Sequence, residues 1–459
     1  MNKASLLAGV ALVGIGLSAP QVAGAETLEE VLVSSYTTNP TLLARQARLR
    51  AVDEGVPQAL ANWRPTVTLV GNVARGRYYN NTSTDVGEVR TGRDGALVIS
   101  QPLYRGGRTV AQTRQAEATV MAERALLQAT EQSILLSAAT AYLNVVRDDA
   151  TLRLSINNEQ VLRRQLEAAQ ERFRVGEITR TDVSQAEARL SRATAERVAA
   201  EGALQDSRAN FINFVGRAPE SPQAPASAAT VPASFDEIKA VSLAKNPNII
   251  AADWTAKAAK DGIDLVFGEL LPTVSLRGTI SRQLHEATLD SDSSTKEVSV
   301  NVAVPLYEGG GTYSRVRAQK HTYGQRKIEA DQARRDTLES STRGWEDLQA
   351  SRARVRSYVS QIRANEMALA GVEEEAKVGS RTVLDVLDAE QELFDARVNL
   401  VRAQHDEFVA AFQVKSGLGQ MTAEGLGLQV DVYDPTKHYE DVRDQWIGTG
   451  IQPAPGYED

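Results

Sequence analysis

Two kinds of hydrophobic pattern alternate along the chain. Over 27–62 and 235–268 apolar residues recur every three or four positions, which is typical of amphipathic helices, and Pro57 is expected to interrupt the first of these helices. Beyond each stretch the pattern changes to strict alternation, as in Val67 and Leu69 with threonines between them. Alternation predicts strands with one apolar and one polar face. The fold class predicted is therefore mostly α with a small β part.

The alternating segments predict two β-hairpins, at about 65–104 and about 272–306, whose strands are joined by the polar loops 80–94 and 285–296. A soluble sandwich would need further partner strands. A transmembrane β-barrel would need strands from several chains, because membrane barrels have at least about eight strands and leave no open edge. A dimer would supply eight strands and a trimer twelve, and the residue pattern alone does not choose between them.

A glycine-rich turn after each hairpin opens a very long helical pattern. The long helices are predicted at about 107–175 and 311–378, and each is followed by a shorter helix, at about 181–215 or about 382–416. At 1.5 Å per residue, each long helix would extend for about 100 Å. Stripes of apolar residues and alanines predict coiled-coil packing along that length. In the first long helix the stripe consists of Leu135, Ala138, Tyr142, Val145, Leu162, Leu166, Ala169 and Phe173.

The chain is an internal duplication. A little over two hundred residues after TLEEVLVSSYTTNPTL, QPLYRGG and VGEITRTDVSQAEARL come SFDEIKAVSLAKNPNI, VPLYEGG and VGSRTVLDVLDAEQEL. We predict a first structural repeat at 26–216 and a second at 233–419. The segment between them, 217–232, is rich in Pro, Ala and Ser and is predicted to be an extended linker. The C-terminal tail, 420–459, has no periodic pattern and is left without a predicted role.

Residues 1–25 have the features of a secretory signal peptide: a lysine near the start, an apolar run over 6–17 and the small-residue site AGA. The apolar run is shorter than the roughly 20 residues that a membrane-spanning helix needs. We therefore expect cleavage before Glu26. The absence of cysteine from the sequence excludes a lipid-modified N-terminal cysteine and disulfides.

The charge and the histidines argue against several functions. The formal net charge of −8 disfavours nucleic acid as a partner, because binding to phosphates needs a basic surface. The four histidines are scattered without metal-ligand spacing. The sequence therefore predicts no metal site, no cofactor and no catalytic residue set.

The repeated blocks carry a family resemblance. Asn-Pro, PLY-x-GG, VG-x(4)-TDV and VGSRTVLDVLDA occur in order, and with them the whole mature chain resembles the TolC family of outer-membrane channels. The resemblance implies a homotrimer with a twelve-stranded β-barrel in the bacterial outer membrane, continued into the periplasm by a long coiled-coil α-barrel. It further implies a passive exit duct, not an enzyme, with a periplasmic adaptor protein and an inner-membrane ABC or RND-type transporter as partners.

Within that family, the stretch 43–65 resembles members that serve type I protein secretion more than members that serve small-molecule efflux. Multidrug or small-molecule efflux is the alternative within the same class. A periplasmic coiled-coil scaffold without a pore is the alternative from another class, and it would leave the amphipathic hairpins unexplained.

The two VG segments predict tight turns at Gly176 and Gly379. Each is followed by a capping-box pattern, in which a threonine side chain and an acid three residues later satisfy free N–H groups at a helix start. The pattern in the second repeat accounts for Asp385. It does not account for Asp388, which lies one turn further along the same helix face.

The family resemblance assigns roles to residues near these turns. Asp385 and Asp388 are expected to form the periplasmic aperture of the closed channel, and like charges brought together there would raise some pKa values and attract cations. Arg381 is expected to link its tip to a neighbouring tip through Thr181 and Asp182. Where the family has a tyrosine that supports the closed state, this chain has Ala376.

Overall fold

The computed structural model describes residues 26–78, 88–225, 227–286 and 290–451. The predicted signal peptide and the outermost residues of both β-hairpins lie outside these ranges. In chain order, the elements are α1 (Leu28–Thr38), α2 (Pro40–Asp53), α3 (Gly55–Leu60), β1 (Thr66–Tyr78), β2 (Glu88–Arg105), α4 (Arg108–Arg174), α5 (Arg180–Val215), α6 (Phe235–Lys245), α7 (Pro247–Phe267), β3 (Thr273–Leu284), β4 (Asp292–Ala303), α8 (Gly311–Lys377), α9 (Val383–Gly417), α10 (Ala423–Leu426) and α11 (Lys437–Val442).

The helical stretch before each hairpin is broken at an Asn-Pro pair. Asn39 ends α1, and its side chain caps α2, which starts at Pro40; Asn246 does the same for α7. Proline suits the first helical position because the N–H that it lacks has no partner there. The predicted interruption at Pro57 is present, but it lies three residues before the proline, because Pro57 has no N–H to donate to the Asp53 carbonyl. The break lies at Glu54, and Pro57 sits in the first turn of α3, where a missing N–H costs little.

The four strands form one antiparallel sheet in the order β1-β2-β3-β4. Within the described ranges no helix layer covers the apolar face, so that Leu69, for example, is 80% exposed. The register aligns apolar residues on this face across the sheet: Val67, Leu69 and Val73 on β1, Leu97 and Ile99 on β2, Leu276 and Ile280 on β3, and Val298, Val300 and Val302 on β4. The predicted alternation is therefore present, but its apolar face points away from the chain's own core.

The strands extend further into the polar loops than predicted. Two acids of the predicted loops form polar cross-strand pairs: the Asp94 carboxylate accepts a hydrogen bond from the Asn72 amide at 3.0 Å, and Asp292 pairs with Arg282 at 2.7 Å. At the other end β4 stops at Ala303 and not at 306. Pro305 explains this end, since it has no N–H to donate to the ladder.

Two hairpins of long helices extend from the sheet. Each of α4 and α8 has 67 residues, which corresponds to about 100 Å at 1.5 Å per residue. Gly106 and Gly107, both with positive φ, join β2 to α4, and Gly309 and Gly310 join the second repeat in the same way, as predicted for strand-to-helix turns. The stripe on α4 is buried from Leu135 to Ala169 except for the half-buried Leu166, and Phe173, beside the tip, is 45% exposed in the protomer, so that its packing stays a prediction.

The main apolar core lies where α1, α2 and the tail pack around the middle of the helical hairpins. It contains Val31, Leu49, Leu135, Phe211 and Met421, all nearly free of solvent contact. The tail is therefore part of the fold, although its sequence has no periodic pattern. The Asp53 carboxylate, fully buried, holds it through His438 at 3.2 Å.

No helix in the described ranges has both the length and the apolar character needed to cross a bilayer.

Candidate functional site at the helical tips

The candidate site consists of the two tips at which a long helix turns back into a shorter one, far from the sheet. We call them the first tip (α4–α5) and the second tip (α8–α9). Gly176 in the first tip has φ of +83° and Gly379 in the second has +79°, values that favour glycine. The N–H of each donates back to the end of the long helix, to Phe173 O at 3.0 Å and Ala376 O at 3.2 Å. Both turns therefore use a glycine with positive φ and a hydrogen bond back to the end of the long helix.

A capping box opens the helix after each turn, as the sequence predicts. In the second tip the Asp385 N–H donates to Thr382 Oγ1 at 3.3 Å, and the Thr382 N–H donates to Asp385 Oδ2 at 2.9 Å. Thr179 and Asp182 repeat these contacts at the same distances in the first tip. The hydrogen bonds from the Thr382 N–H and hydroxyl lower the pKa of Asp385, and Arg381 adds to that shift. Asp385 is therefore a fixed negative charge at neutral pH.

Small residues bring the two tips together. Leu387 of α9 is almost fully buried in a cluster with Ala169 of α4 and Ala186 and Ala193 of α5. Alanines at these positions allow close approach of the helices. The first turns of α5 and α9 therefore lie side by side, and polar residues on their rims come within bonding distance.

Asp388 forms an ion pair across the two tips. Its Oδ1 accepts a hydrogen bond from Arg189 Nη2 at 2.5 Å, and the two side chains retain 54% and 28% exposure. Arg189 belongs to α5 and Asp388 to α9, so that this ion pair bridges the two tips within one chain. In the protomer Asp388 thus links the two tips, whereas Asp385 caps the start of its own helix, α9.

Arg381 has a local partner in the protomer. Its Nε donates to Glu375 Oε2 at 2.8 Å within the second tip, and this hydrogen bond raises the pKa of Arg381. Asp182 is engaged in its own capping box, and the Thr181 side chain is exposed. The link from Arg381 to Thr181 and Asp182 of a neighbouring tip stays a prediction.

An open groove lies where the family tyrosine is missing. It has a volume of about 230 Å³ and separates α4 of the first tip from α8 and α9 of the second. Its lining includes Ala168, Ala169, Arg172, Ala376, Val383 and Val386. The small side chain of Ala376 therefore leaves space between the tips that a larger residue could fill.

Sequence reasoning missed Arg189 and Glu375. Arg189 lies in the block VGEITRTDVSQAEARL, but its partner Asp388 is 199 residues away and on a different helix. The only signal available was the presence of opposite charges within three helical turns of the starts of α5 and α9, which many solvated helix faces share. Among the described residues no group of three or more histidines and acids is arranged to hold a metal ion.

Comparison with known proteins gives the family. The sequence profile described as "Outer membrane efflux protein" matches residues 31–217 and 240–420, one segment in each structural repeat. The outer membrane efflux protein BepC of Brucella suis is 37% identical over 97% of this chain and 95% of its own length. The alkaline protease secretion protein AprF of Pseudomonas aeruginosa is 24% identical over 78% of each chain.

The fold is also found among solved structures. The outer membrane protein VceC of Vibrio cholerae superposes with a TM-score of 0.75 over 85% of this chain and 96% of its own, at 22% identity. The long helical hairpins and the small sheet are thus a known combination. The chain therefore belongs to the outer membrane efflux protein family, the TolC-type channels, which lie in the outer membrane and extend into the periplasm.

Proposed function

We propose that this protein is the passive exit duct of a tripartite export system and that three copies form one channel. The observation that carries the proposal is the sheet: it has a continuous apolar face that no described part of the protomer covers, and it stands at the end of helices about 100 Å long. A lone sheet with such a face is not a stable soluble layer. It suits a closed barrel surrounded by lipid.

The edges of the sheet support assembly from several copies. Within the described residues, β1 and β4 each pair with a single strand, so each protomer has two open edges. Unpaired backbone groups in lipid cost several kcal/mol each, and pairing β4 of one copy with β1 of the next would remove them. Three copies would give twelve strands, and the helical hairpins would continue the barrel as a periplasmic tunnel.

The tips are the proposed gate. In a trimer, Asp385 and Asp388 would form two rings of three carboxylates each around the narrow end, where their charge would favour cations. The Arg189–Asp388 pair would hold the two tips of each protomer together in the closed state. Arg381 would add contacts to Thr181 and Asp182 of the neighbouring subunit once Glu375 releases it.

Energy and cargo selection would come from other proteins. A periplasmic adaptor would dock along the grooves between the helical hairpins near the tips, and an inner-membrane ABC or RND-type transporter would deliver the cargo. The duct itself would contribute a passage and a gate, without catalysis.

Type I protein secretion is the route that stretch 43–65 favours, and the similarity to the protease secretion protein AprF supports it. Small-molecule efflux is the second candidate, and the similarity to the efflux protein BepC supports it. Deletion of the gene separates the two routes. Loss of a protein from the culture medium with unchanged drug sensitivity would support secretion, whereas the reverse pattern would support efflux.

Conductance tests the duct itself. The purified protein is expected to be a heat-modifiable trimer that forms cation-selective pores in planar bilayers. The Asp385→Ala/Asp388→Ala variant should conduct more and select cations less. Release of the protein with the soluble periplasmic fraction, without pore activity, would refute the duct and favour the scaffold alternative.

A further inference from the structure

The C-terminal tail follows a defined path along α4. It leaves α9 near the middle of the helical hairpins, where the Ala423 N–H donates to the Glu131 carboxylate at 2.7 Å. Further along, Arg124 lies over the ring of Tyr439 at 5.2 Å. Arg443 then reaches Glu117 at 4.0 Å. Successive residues of the tail thus meet α4 ever closer to its first residue.

These contacts give the tail a direction. Residues 131, 124 and 117 are seven positions apart on α4, so that each step advances by about 10 Å along the helix axis. The advance is towards Arg108, where α4 follows β2. The tail therefore runs towards the base of the sheet, which we define as the end at which β1 begins.

Arg64 holds the end of the tail at this base. Its Nη1 donates to the Gln445 carbonyl at 2.6 Å, and its guanidinium lies over the Trp446 ring at 4.7 Å. Arg64 is two residues before β1 and three before Val67. At about 3.3 Å per residue, the Arg64 backbone is about 10 Å along the chain from Val67 at the start of the apolar face, and the Arg64 guanidinium holds Trp446 beside it.

The residues that follow this contact are unusually exposed for their type. Trp446 is 66% exposed, Ile447 90% and Ile451 83%. A short segment with three large exposed apolar side chains indicates a surface that is covered in the assembled state. Two of the four tryptophans of the chain, Trp63 and Trp446, lie at the base of the sheet, and tryptophan is favoured where a membrane meets water.

The charge of this part of the tail does not attract anionic lipid. Between 437 and 451 the positive residues are Lys437 and Arg443, and the negative ones are Glu440, Asp441 and Asp444. With His438 neutral, the segment has one net negative charge. Its affinity for a membrane would therefore come from apolar and aromatic burial, not from electrostatic attraction.

We propose that 446–451 is an interfacial anchor that lies in the headgroup region of the periplasmic leaflet of the outer membrane. Its partner is the phospholipid surface next to the barrel, with Trp446, Ile447 and Ile451 inserted and Arg64 as the residue that positions them. The surface is continuous with the lipid-facing side of the sheet of this outer-membrane protein. The anchor would fix the height of the helical tunnel relative to the bilayer.

The absence of cysteine allows a direct test. Ile447→Cys, labelled with an environment-sensitive fluorophore, is reconstituted as the full protein into phosphatidylcholine vesicles. We expect a blue-shifted emission, quenching by shallow spin-labelled lipid and little change between low and high salt. The matched control is Asp431→Cys, an exposed position earlier in the same tail, at which lipid quenching should be several-fold weaker.

Two results would overturn the proposal. Equal lipid quenching at both positions, with equal access to aqueous iodide, would show that the segment does not enter the interface. A blue shift at 447 without lipid quenching would show that a neighbouring subunit covers it. In Arg64→Gln, the label at 447 should become accessible to iodide while the trimer stays heat-modifiable.

A second measurement avoids the label. Replacement of Trp63, Trp254 and Trp345 with phenylalanine leaves Trp446 as the single fluorophore. Lipid brominated near the headgroup should then quench its emission, and lipid brominated at the chain ends should quench it much less. Quenching of Trp446 that does not depend on the bromine position would contradict interfacial insertion.

Discussion

Arg189→Gln is expected to loosen the closed state by removing the bridge between the two tips of each protomer. The substitution keeps a polar side chain, shorter than that of arginine, and removes the charge that pairs with Asp388. Arg189 makes this contact from two turns inside α5, so the helix start and its capping box remain intact. The perturbation is therefore confined to the contact between α5 and α9.

The size of the expected effect on the open-to-closed ratio follows from the exposure of the two paired side chains. With the two side chains 28% and 54% exposed, the pair belongs with partly solvated ion pairs, which contribute about 0.2–1 kcal/mol each. Three pairs in a trimer would contribute about 0.6–3 kcal/mol in total. Because about 1.4 kcal/mol changes an equilibrium tenfold, the ratio of open to closed channels should rise by about threefold to about a hundredfold.

The assay is the open probability of the trimer in planar bilayers at low and high salt. The matched control is Arg192→Gln, which removes the same charge from the same helix and breaks an i,i+4 pair with Glu196 but leaves the Arg189–Asp388 pair in place. The reversed pair Arg189→Asp/Asp388→Arg should restore closure, and the effect of Arg189→Gln should shrink in high salt. Equal opening by Arg192→Gln, or failure of the reversed pair to restore closure, would refute the reasoning.

Three further predictions concern the tips and the buried histidine. Ala376→Tyr should fill the groove of about 230 Å³, bury on the order of 50 Å² of apolar surface and favour closure by about 1 kcal/mol per subunit; unchanged conductance, or a decrease also in Ala376→Ser, would argue against it. Thr382→Ala should destabilise the start of α9 by about 1 kcal/mol and speed tryptic cleavage after Arg381, whereas Thr382→Ser should not. Burial lowers the pKa of His405 below 6.5 against the opposing effect of Asp406, so its neutral form is favoured in the folded state. The stability linked to it should be complete above pH 6.5 and fall as the pH drops below that value, and the pH dependence of the unfolding midpoint should be weaker in His405→Gln.

Much of the candidate site follows from local rules. The turns at Gly176 and Gly379 and the capping boxes of Thr179 and Thr382 involve residues a few positions apart, and the sequence predicts them correctly. Local patterns place a break only approximately. Pro57 indicates an interruption of the first helix, and the helix is interrupted at Glu54, because a proline is tolerated in the first turn of the helix that follows.

Contacts between distant segments could not be predicted in this way. Asp388 finds Arg189 only because small residues bring α5 against α9, and that packing depends on the whole hairpin. The tail has no periodic pattern because its partners are widely spaced along the chain: Glu131 and Glu117 on α4, and Arg64 before β1. Nothing within the tail itself encodes those partners.

The sequence by itself determined the helices and strands, the duplication and the alternation of the sheet, since each of these depends on residues close together in the chain or on a repeated pattern. Only the tertiary structure decided which charges meet at the tips, where Ala376 leaves a groove and how the tail reaches the base of the sheet. The physical reason is that those features depend on distances between segments up to 397 residues apart, as in the hydrogen bond from the Tyr433 N–H to the Tyr36 hydroxyl, and such distances are set by packing.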